Sequence, residues 1–154
     1  MNKKILVPIL GAAAVVAAFS TAVIAQEMKA DRAIKYRQGI LQAIGWNMGV
    51  LGGMAKGEVP YDKDKSIRAA TFVSELAQMP WDGFVPGSDT GAPTKAKPEI
   101  WKDKAKFDKL AKDMQAETLK LVAAAKTGDV AQLRTAVGAT GKSCSNCHDD
   151  FRNK

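Results

Sequence analysis

The most restrictive feature of the sequence lies near its end, where Cys144-Ser145-Asn146-Cys147-His148 reads C-x-x-C-H, the attachment sequence of a c-type haem. Each thiol can add across one vinyl group of the porphyrin, and the adjacent imidazole can then reach the iron from one side of the ring. On a helix, residues three and four apart share a face, so the three side chains would project together. The motif therefore predicts one haem c, held covalently by Cys144 and Cys147, with His148 as the metal ligand.

The cysteine pair has three alternative interpretations. A thioredoxin-like redox pair needs a β-α-β context, and no strand pattern surrounds the motif. Structural zinc takes four ligands, usually Cys or His, whereas the sequence contains 2 Cys and 1 His. A simple disulfide in an exported protein also fits the pattern, but the adjacent His148 and the N-terminal segment favour haem attachment.

Residues 1–25 have the organisation of a secretory signal peptide. Two lysines near the start supply positive charge, residues 5–19 form a short apolar run, and Ala25 ends a small-residue cleavage site. A retained membrane anchor is the alternative, but the run is short for a bilayer span. We therefore expect cleavage after Ala25 and export to the periplasm of a mature domain, residues 26–154, that does not insert into the membrane.

The net charge of +7 raises the question of a nucleic-acid partner. In the third helical stretch, however, lysines are interspersed with acidic residues and form no continuous basic stripe. An exported protein also rarely meets nucleic acid. We therefore expect a solvated charged surface, with some positive charge facing the haem propionates, and no nucleic-acid partner.

Apolar residues at helical spacing mark four amphipathic stretches, at about residues 31–56, 64–79, 98–127 and 129–151. Gly57 and Gly128 are positioned to end the first and third of these helices. Residues 80–97 are rich in Pro and Gly and predict a long loop, which Trp81 and Phe84 would pin to an apolar surface. Four helices with inward-facing cofactor ligands predict an all-α fold, an antiparallel up-down-up-down four-helix bundle with covalently bound haem c.

Several segments beyond the haem motif resemble the class II c-type cytochromes, and the chain is similar to cytochrome c′ along nearly all of its mature length. The segments that carry the resemblance are Lys35-Tyr36-Arg37-Gln38, Lys56-Gly57-Glu58-Val59-Pro60-Tyr61-Asp62, Met79-Pro80-Trp81-Asp82-Gly83-Phe84, Pro98-Glu99-Ile100-Trp101 and residues 144–152. The resemblance implies a high-spin haem c with His148 as its single protein ligand and an apolar distal pocket that binds nitric oxide or carbon monoxide. It also implies electron transfer with periplasmic redox partners and a homodimer packed through the first two helices.

Residue 41 distinguishes two branches of this family. In the low-spin branch, similar to cytochrome c-556, a Met of the first helix occupies the sixth iron position, and that position aligns with Leu41 here. Leucine has no donor atom, so it can only fill space over the open face. Met48 lies about 10.5 Å farther along the helix, and Met114 has the spacing of a core residue. We expect a vacant distal site; a six-coordinate electron carrier of the c-556 type is the alternative.

Four further residues are assigned to the site through the resemblance. Arg37 and Gln38 match residues at the haem edge, where Arg37 could pair with a propionate through a charge-assisted bond. Phe84 is a candidate for the pocket wall, although plain core anchorage explains its position equally well. Arg152 shares a helix face with His148 and would border the proximal pocket; the alternative is a helix-terminal charge favoured by the dipole.

The haem motif is not accompanied by an acid–base or nucleophile constellation, so the sequence does not predict an enzyme. We expect a gas-binding haem protein that can also transfer electrons. A nitric oxide-consuming reductase would need an electron donor and a proton source, and the sequence shows neither.

Overall fold

A computed structural model of the chain describes the backbone of residues 11–154 and the side chains of residues 29–154. The charged start of the predicted signal segment, within residues 1–10, lies outside the described residues. The described chain is helical between its turns and loops, which confirms the all-α prediction. Its elements are α1 (Gly11–Lys56), α2 (Lys63–Leu76), a short 3₁₀ helix (Pro80–Gly83), α3 (Glu99–Lys102), α4 (Lys104–Thr127) and α5 (Val130–Phe151).

The four long helices form an antiparallel bundle in which each helix packs against two others. α1 contacts α2 and α5, and α4 contacts α2 and α5. Short turns join α1 to α2 and α4 to α5, as in the predicted up-down-up-down topology. Among the described residues, none of the helices combines the length and the apolar character that a bilayer crossing requires.

Local sequence explains where most helices begin and end. The carboxylate of Asp62 accepts a hydrogen bond of 2.9 Å from a backbone N–H in the first turn of α2. Asp129 begins α5 in the same way, with bonds of 2.7 and 3.3 Å. Gly57 and Gly128 follow α1 and α4 with φ angles of 78° and 80°, in the left-handed region that favours glycine. The predicted glycine caps are therefore confirmed.

Two helix boundaries differ from the sequence prediction. Among the described residues α1 already includes Gly11, whereas the sequence predicts a start near residue 31; residues 11–56 contain no proline, so the Ala-rich part continues directly into the amphipathic part. The third predicted helix is split at Asp103, whose backbone leaves helical geometry at φ −119° and ψ 59° and whose side chain caps the start of α4. As a separate turn, α3 contributes Ile100 to the cavity described below.

The long helices bury their apolar stripes against one another. Leu51, Val73, Leu121 and Leu133, one from each helix, are 0% exposed. Full burial of one such side chain stabilises the fold by about 1.5–3 kcal/mol. This shared core fixes the helices relative to one another and so fixes the register at which α5 presents its C-terminal motif.

The long loop between α2 and α3 lies against the bundle, as its aromatic residues predict, and is fixed at both ends. Near its start, a Cβ atom added at Gly83 would stand 2.7 Å from the Cβ of Arg37 and 2.8 Å from a backbone carbonyl oxygen of α1. Near its end, the backbone N–H of Lys97 donates to the carbonyl oxygen of Phe151 at 3.0 Å, beside a short antiparallel bridge. Through these contacts the loop, which joins α2 to α3 in sequence, packs against the middle of α1 and the end of α5.

We expect Gly83→Ala to destabilise the protein, because the added methyl group has no space between the loop and α1. Overpacking of this kind costs about 1–3 kcal/mol. The matched control is Gly138→Ala on α5, where nothing lies within 4 Å of the added Cβ and the substitution should stabilise the helix by about 0.5–1 kcal/mol. Urea unfolding measures both changes; a Gly83→Ala protein as stable as the wild type would contradict the close approach.

Candidate functional site

A cavity of about 720 Å³ lies between α1, α4, α5 and the long loop. Its volume is in the range typical of cofactor pockets, which are mostly apolar and largely pre-formed. The aliphatic and thioether side chains of its wall are Leu41, Ile44, Met48, Ile100, Leu110 and Met114. Such a wall suits a large apolar ring better than a strongly hydrated ligand.

α5 brings the complete C-x-x-C-H motif to this cavity. Cys144, Cys147 and His148 all line it, because their spacing places them on one face of the helix. Both cysteines are half-buried, and neither forms a disulfide. The two predicted attachment residues and the predicted metal ligand therefore lie together in one wall.

The thiols have raised pKa values. Burial raises the pKa of the Cys144 thiol. Burial, and then the charges of Cys144 and Asp150, raise the pKa of the Cys147 thiol to about 11. Redox-active cysteine pairs instead rely on a lowered thiol pKa, and within the part of the chain that the structure describes no cluster of three or more His, Cys, Asp or Glu could hold a metal ion. The raised thiol pKa values thus argue against a redox-active cysteine pair.

The imidazole of His148 lines the cavity, and the residue is exposed to solvent. Partial burial lowers its pKa, the positive charge of Arg152 lowers it further, and Asp149 opposes the shift. A lowered pKa keeps the ring neutral at neutral pH, which is the form that coordinates a metal. Arg152 also lines the cavity, and its backbone N–H donates to the carbonyl oxygen of His148 at 3.1 Å.

The long loop holds the end of α5 in place. The ammonium group of Lys97 donates to the carbonyl oxygens of Asp149 and Asp150, both at 3.1 Å, and the backbone N–H of Asn153 donates to the carbonyl oxygen of Lys95 at 2.8 Å. The bonds from Lys97 satisfy carbonyl groups that a helix C-terminus leaves without intrahelical partners. Sequence analysis missed them because these partners lie 52 and 53 residues apart and no local pattern connects them.

Leu41 is half-buried in the cavity wall. Met48, about two turns farther along α1, lines the same cavity, and so does Met114 on α4. Met114 is 6% exposed, which confirms its assignment to the core. The sequence analysis considered Met48 only as a distant candidate ligand and did not anticipate that it would belong to this wall.

Arg37 is only 2% exposed, although arginine is rarely buried without partners. Its Nη1 donates to the carbonyl oxygen of Gly83 at 2.7 Å and to Oγ of Ser88 at 2.6 Å; its Nη2 donates to the carbonyl oxygen of Ser88 at 2.6 Å and to Oγ1 of Thr94 at 3.0 Å. These bonds use four of the five N–H donors of a guanidinium. Anchoring of the loop is therefore a role that sequence analysis missed, and pairing with a propionate stays a prediction.

Gln38 and Phe84 also line the cavity and are held by loop contacts. The side-chain amide of Gln38 donates to the carbonyl oxygen of Pro93 at 2.9 Å. The ring of Phe84 lies 4.6 Å from Cζ of Arg37 and meets the ring of Phe107 edge-on at a centroid distance of 4.9 Å. Phe84 is thus packed and part of the wall at once, so the two predicted interpretations of this residue are compatible.

The residues of the cavity fit a haem c. Two thiols and an imidazole face it from α5, and most of its remaining wall is hydrocarbon. Its exposed cationic side chains Lys95 and Arg152 suit the carboxylates at the edge of a porphyrin. Among the described residues that line the cavity there is no carboxylate side chain to repel those groups. The donor atoms, the apolar wall and the positive charge at the cavity therefore all fit a haem c.

Comparison with known sequences leads to the same assignment. The family model described as Cytochrome C′ matches residues 32–152. Cytochrome c′ of Rubrivivax gelatinosus is 42% identical over 129 residues, which cover 84% of this chain and 100% of that protein. Cytochrome c-556 of Agrobacterium tumefaciens (strain II Chrys) is 34% identical over 121 residues, covering 79% of this chain and 97% of that protein.

Solved structures agree with the sequence relatives. Cytochrome c prime from Shewanella frigidimarina gives a TM-score of 0.78 at 38% identity and covers 81% of this chain and 97% of its own. A nitric oxide complex of a leucine-to-alanine mutant of cytochrome c prime from Alcaligenes xylosoxidans gives a TM-score of 0.75 at 36% identity and covers 81% of this chain and 96% of its own. The chain therefore belongs to the cytochrome c′ family, and it is a c-type cytochrome that binds haem c covalently through Cys144 and Cys147.

Proposed function

We propose that this protein is a periplasmic cytochrome with a five-coordinate, high-spin haem that binds small gases such as nitric oxide and carbon monoxide and can take part in electron transfer. The observation that carries the proposal is the side chain of Leu41 in the wall of the cavity that also receives His148. A hydrocarbon group offers no electron pair to iron, so His148 is the single protein ligand. The nitric oxide complex of the related A. xylosoxidans protein supports the proposal.

A haem iron held by one imidazole supplies a free coordination position for a diatomic gas. The chain decides what reaches that position. A small neutral molecule enters an apolar pocket at little desolvation cost, whereas water or an anion would need hydrogen-bond partners that Leu41 and Ile44 cannot supply. We assign Arg152, which lines the cavity beside His148, to the proximal border, where its charge would affect how readily the imidazole leaves the iron.

Electron transfer is the second part of the proposed role. Lys95 and Arg152 are exposed where they line the cavity, so redox partners would meet positive charge near the haem edge.

The absence of a carboxylate among the described cavity-lining residues leaves the site without an acid–base group of that kind. We therefore propose a binding and electron-transfer protein and not an enzyme.

A six-coordinate electron carrier of the c-556 type is the second candidate. Met48 lines the same cavity as Leu41, and a cytochrome c-556 is among the relatives of this chain. The two residues lie seven residues, about 10 Å, apart along α1, so an iron that faces Leu41 would not also face Met48. The coordination state of the iron separates the two candidates.

We also propose that residues 1–25 are a cleaved signal peptide and that residues 26–154 form the mature haem domain in the periplasm. The family match begins at residue 32, beyond this segment. Mass spectrometry of the exported protein tests the boundary, since a chain starting near Gln26 and carrying one haem is expected. A mature mass that includes residues 1–25 would contradict cleavage.

We further propose a homodimer that packs through α1 and α2. Trp46 on α1 is 77% exposed, Phe72 on α2 is 46% exposed, and both line one surface pocket. Gly45 and Gly49 lie on either side of Trp46 in sequence, and nothing stands within 4 Å of a Cβ atom built at either glycine. Exposed large apolar groups beside small residues suit a surface that packs against protein, and an identical subunit is the partner that the family resemblance implies.

We expect Trp46→Glu to shift the protein to a monomer, because the carboxylate would have to lose its water inside the interface. The matched control is Leu119→Glu on α4, since Leu119 is 63% exposed and lies on another helix. Sedimentation velocity measures both. A wild-type protein that is monomeric at micromolar concentration, or a Trp46→Glu protein that stays dimeric, would contradict the proposed interface.

We expect Leu41→Ala to raise the association rate of carbon monoxide with the reduced protein several-fold, because truncation opens space in the wall beside the iron. Leu119→Ala, far from the cavity on the exposed face of α4, should bind at the wild-type rate. Stopped-flow absorbance at the Soret band measures the rates. Equal rates for wild type and Leu41→Ala would remove Leu41 from the ligand pocket.

A further inference from the structure

A buried guanidinium fixes the long loop beside the cavity. Arg37 donates four hydrogen bonds of 2.6–3.0 Å to Gly83, Ser88 and Thr94. Ser88 is 0% exposed, and its hydroxyl group also donates to the carbonyl oxygen of Val85 at 2.7 Å. Burial lowers the pKa of Arg37 and the negative charge of Asp89 opposes that shift, while oxygen atoms of the loop accept the hydrogen bonds of the guanidinium.

The same guanidinium helps to position Phe84. Its Cζ lies 4.6 Å from the centre of the Phe84 ring, within range of a cation–π contact. The indole N–H of Trp101 donates to the carbonyl oxygen of Phe84 at 3.2 Å, and the ring packs against Phe107 and Trp81 at centroid distances of 4.9 and 6.2 Å. Arg37 therefore covers one side of a ring that forms part of the cavity wall.

We propose that Arg37, Ser88 and Thr94 form a clamp that positions Phe84 and thereby limits the access of gas to the haem iron. This inference rests on the gas binding proposed above and assigns its rate to residues of the loop. Removal of a hydroxyl acceptor leaves a buried N–H donor without a partner, which favours local opening of the loop. The charge of Arg37 is retained when its acceptors are removed, so the clamp can be tested separately from any bond between Arg37 and a haem carboxylate.

The test compares four haem-loaded proteins: wild type, Ser88→Ala/Thr94→Val, Phe84→Ala, and the combined triple variant. The rate of carbon monoxide association with the reduced protein should rise several-fold in the double variant and in Phe84→Ala. The triple variant should match Phe84→Ala, because a clamp that acts through Phe84 has no further effect once the ring is absent. Thr90→Val, which removes an exposed hydroxyl from the same loop, should bind at the wild-type rate.

A wild-type association rate in the double variant would overturn the proposal. The proposal would also be overturned if the triple variant exceeded Phe84→Ala by the same factor by which the double variant exceeds wild type. If the double variant fails to incorporate haem, Thr94→Val alone, which removes the 3.0 Å bond from Arg37 and the 3.2 Å bond from the backbone N–H of Ala96, gives the same comparison in a milder form.

Amide hydrogen exchange provides a readout that does not depend on gas binding. In the double variant, residues 83–94 should exchange at least about tenfold faster, since two hydrogen bonds of Arg37 are lost and the loss of even one shifts a local opening equilibrium by about that factor. A wild-type protein that binds no carbon monoxide would contradict the proposed function. In that case the exchange rates alone would test the clamp, and equal exchange in the double variant and the wild type would refute it.

Discussion

The structure depends on the requirement that two thiols and an imidazole reach one apolar cavity from a single helix. The spacing of Cys144, Cys147 and His148 meets the directional part of this requirement, because residues three and four apart share a helix face. The direction of these side chains does not by itself create the cavity. Protein interiors are close-packed, so a cavity of about 720 Å³ needs rigid walls to stay open. The edge-on contact of Phe107 and Phe151, at a centroid distance of 5.4 Å, supplies a rigid part of that wall next to the motif.

The long loop supplies the other rigid part, and it does so through polar bonds. At one end, Arg37 binds the loop from within the bundle; at the other, Lys97 binds the carbonyl oxygens that end α5. The buried hydrogen bonds of Arg37 are costly to leave unmade, so they hold a segment that has little regular structure of its own, and the exposed bonds of Lys97 add to them. The loop thus contacts both α1, which carries Leu41, and α5, which carries His148. Both sides of the ligand pocket therefore depend on the position of the loop.

Much of the fold could be predicted from the sequence because its determinants are local. The glycine caps after α1 and α4, the Pro- and Gly-rich loop and the C-x-x-C-H motif are each readable within a few residues. The break at Asp103 was missed because an Asp within a helical stretch can either continue the helix or cap a new one, and the neighbouring residues do not distinguish the two. The partners of Arg37 were missed for a different reason: Ser88 and Thr94 lie 51 and 57 residues away from it and owe their meeting to tertiary packing.

The residues proposed from the haem motif and the family resemblance all line the cavity, but the geometry changes the reasons for two of them. Arg37 is a structural anchor whose donors are mostly occupied by the loop, and Phe84 belongs to the wall partly because that anchor lies over its ring. Met48, which the sequence offers only as a distant candidate ligand, lines the same cavity as Leu41.

The coordination state of the iron tests the central claim most directly. Electron paramagnetic resonance of the oxidised protein, frozen near neutral pH, distinguishes an iron with one axial protein ligand from an iron with two. We predict an axial high-spin signal, with His148 as the single protein ligand and a hydrocarbon wall on the other side. A rhombic low-spin signal that disappears in Met48→Leu would show that a thioether occupies the sixth position and would contradict the account.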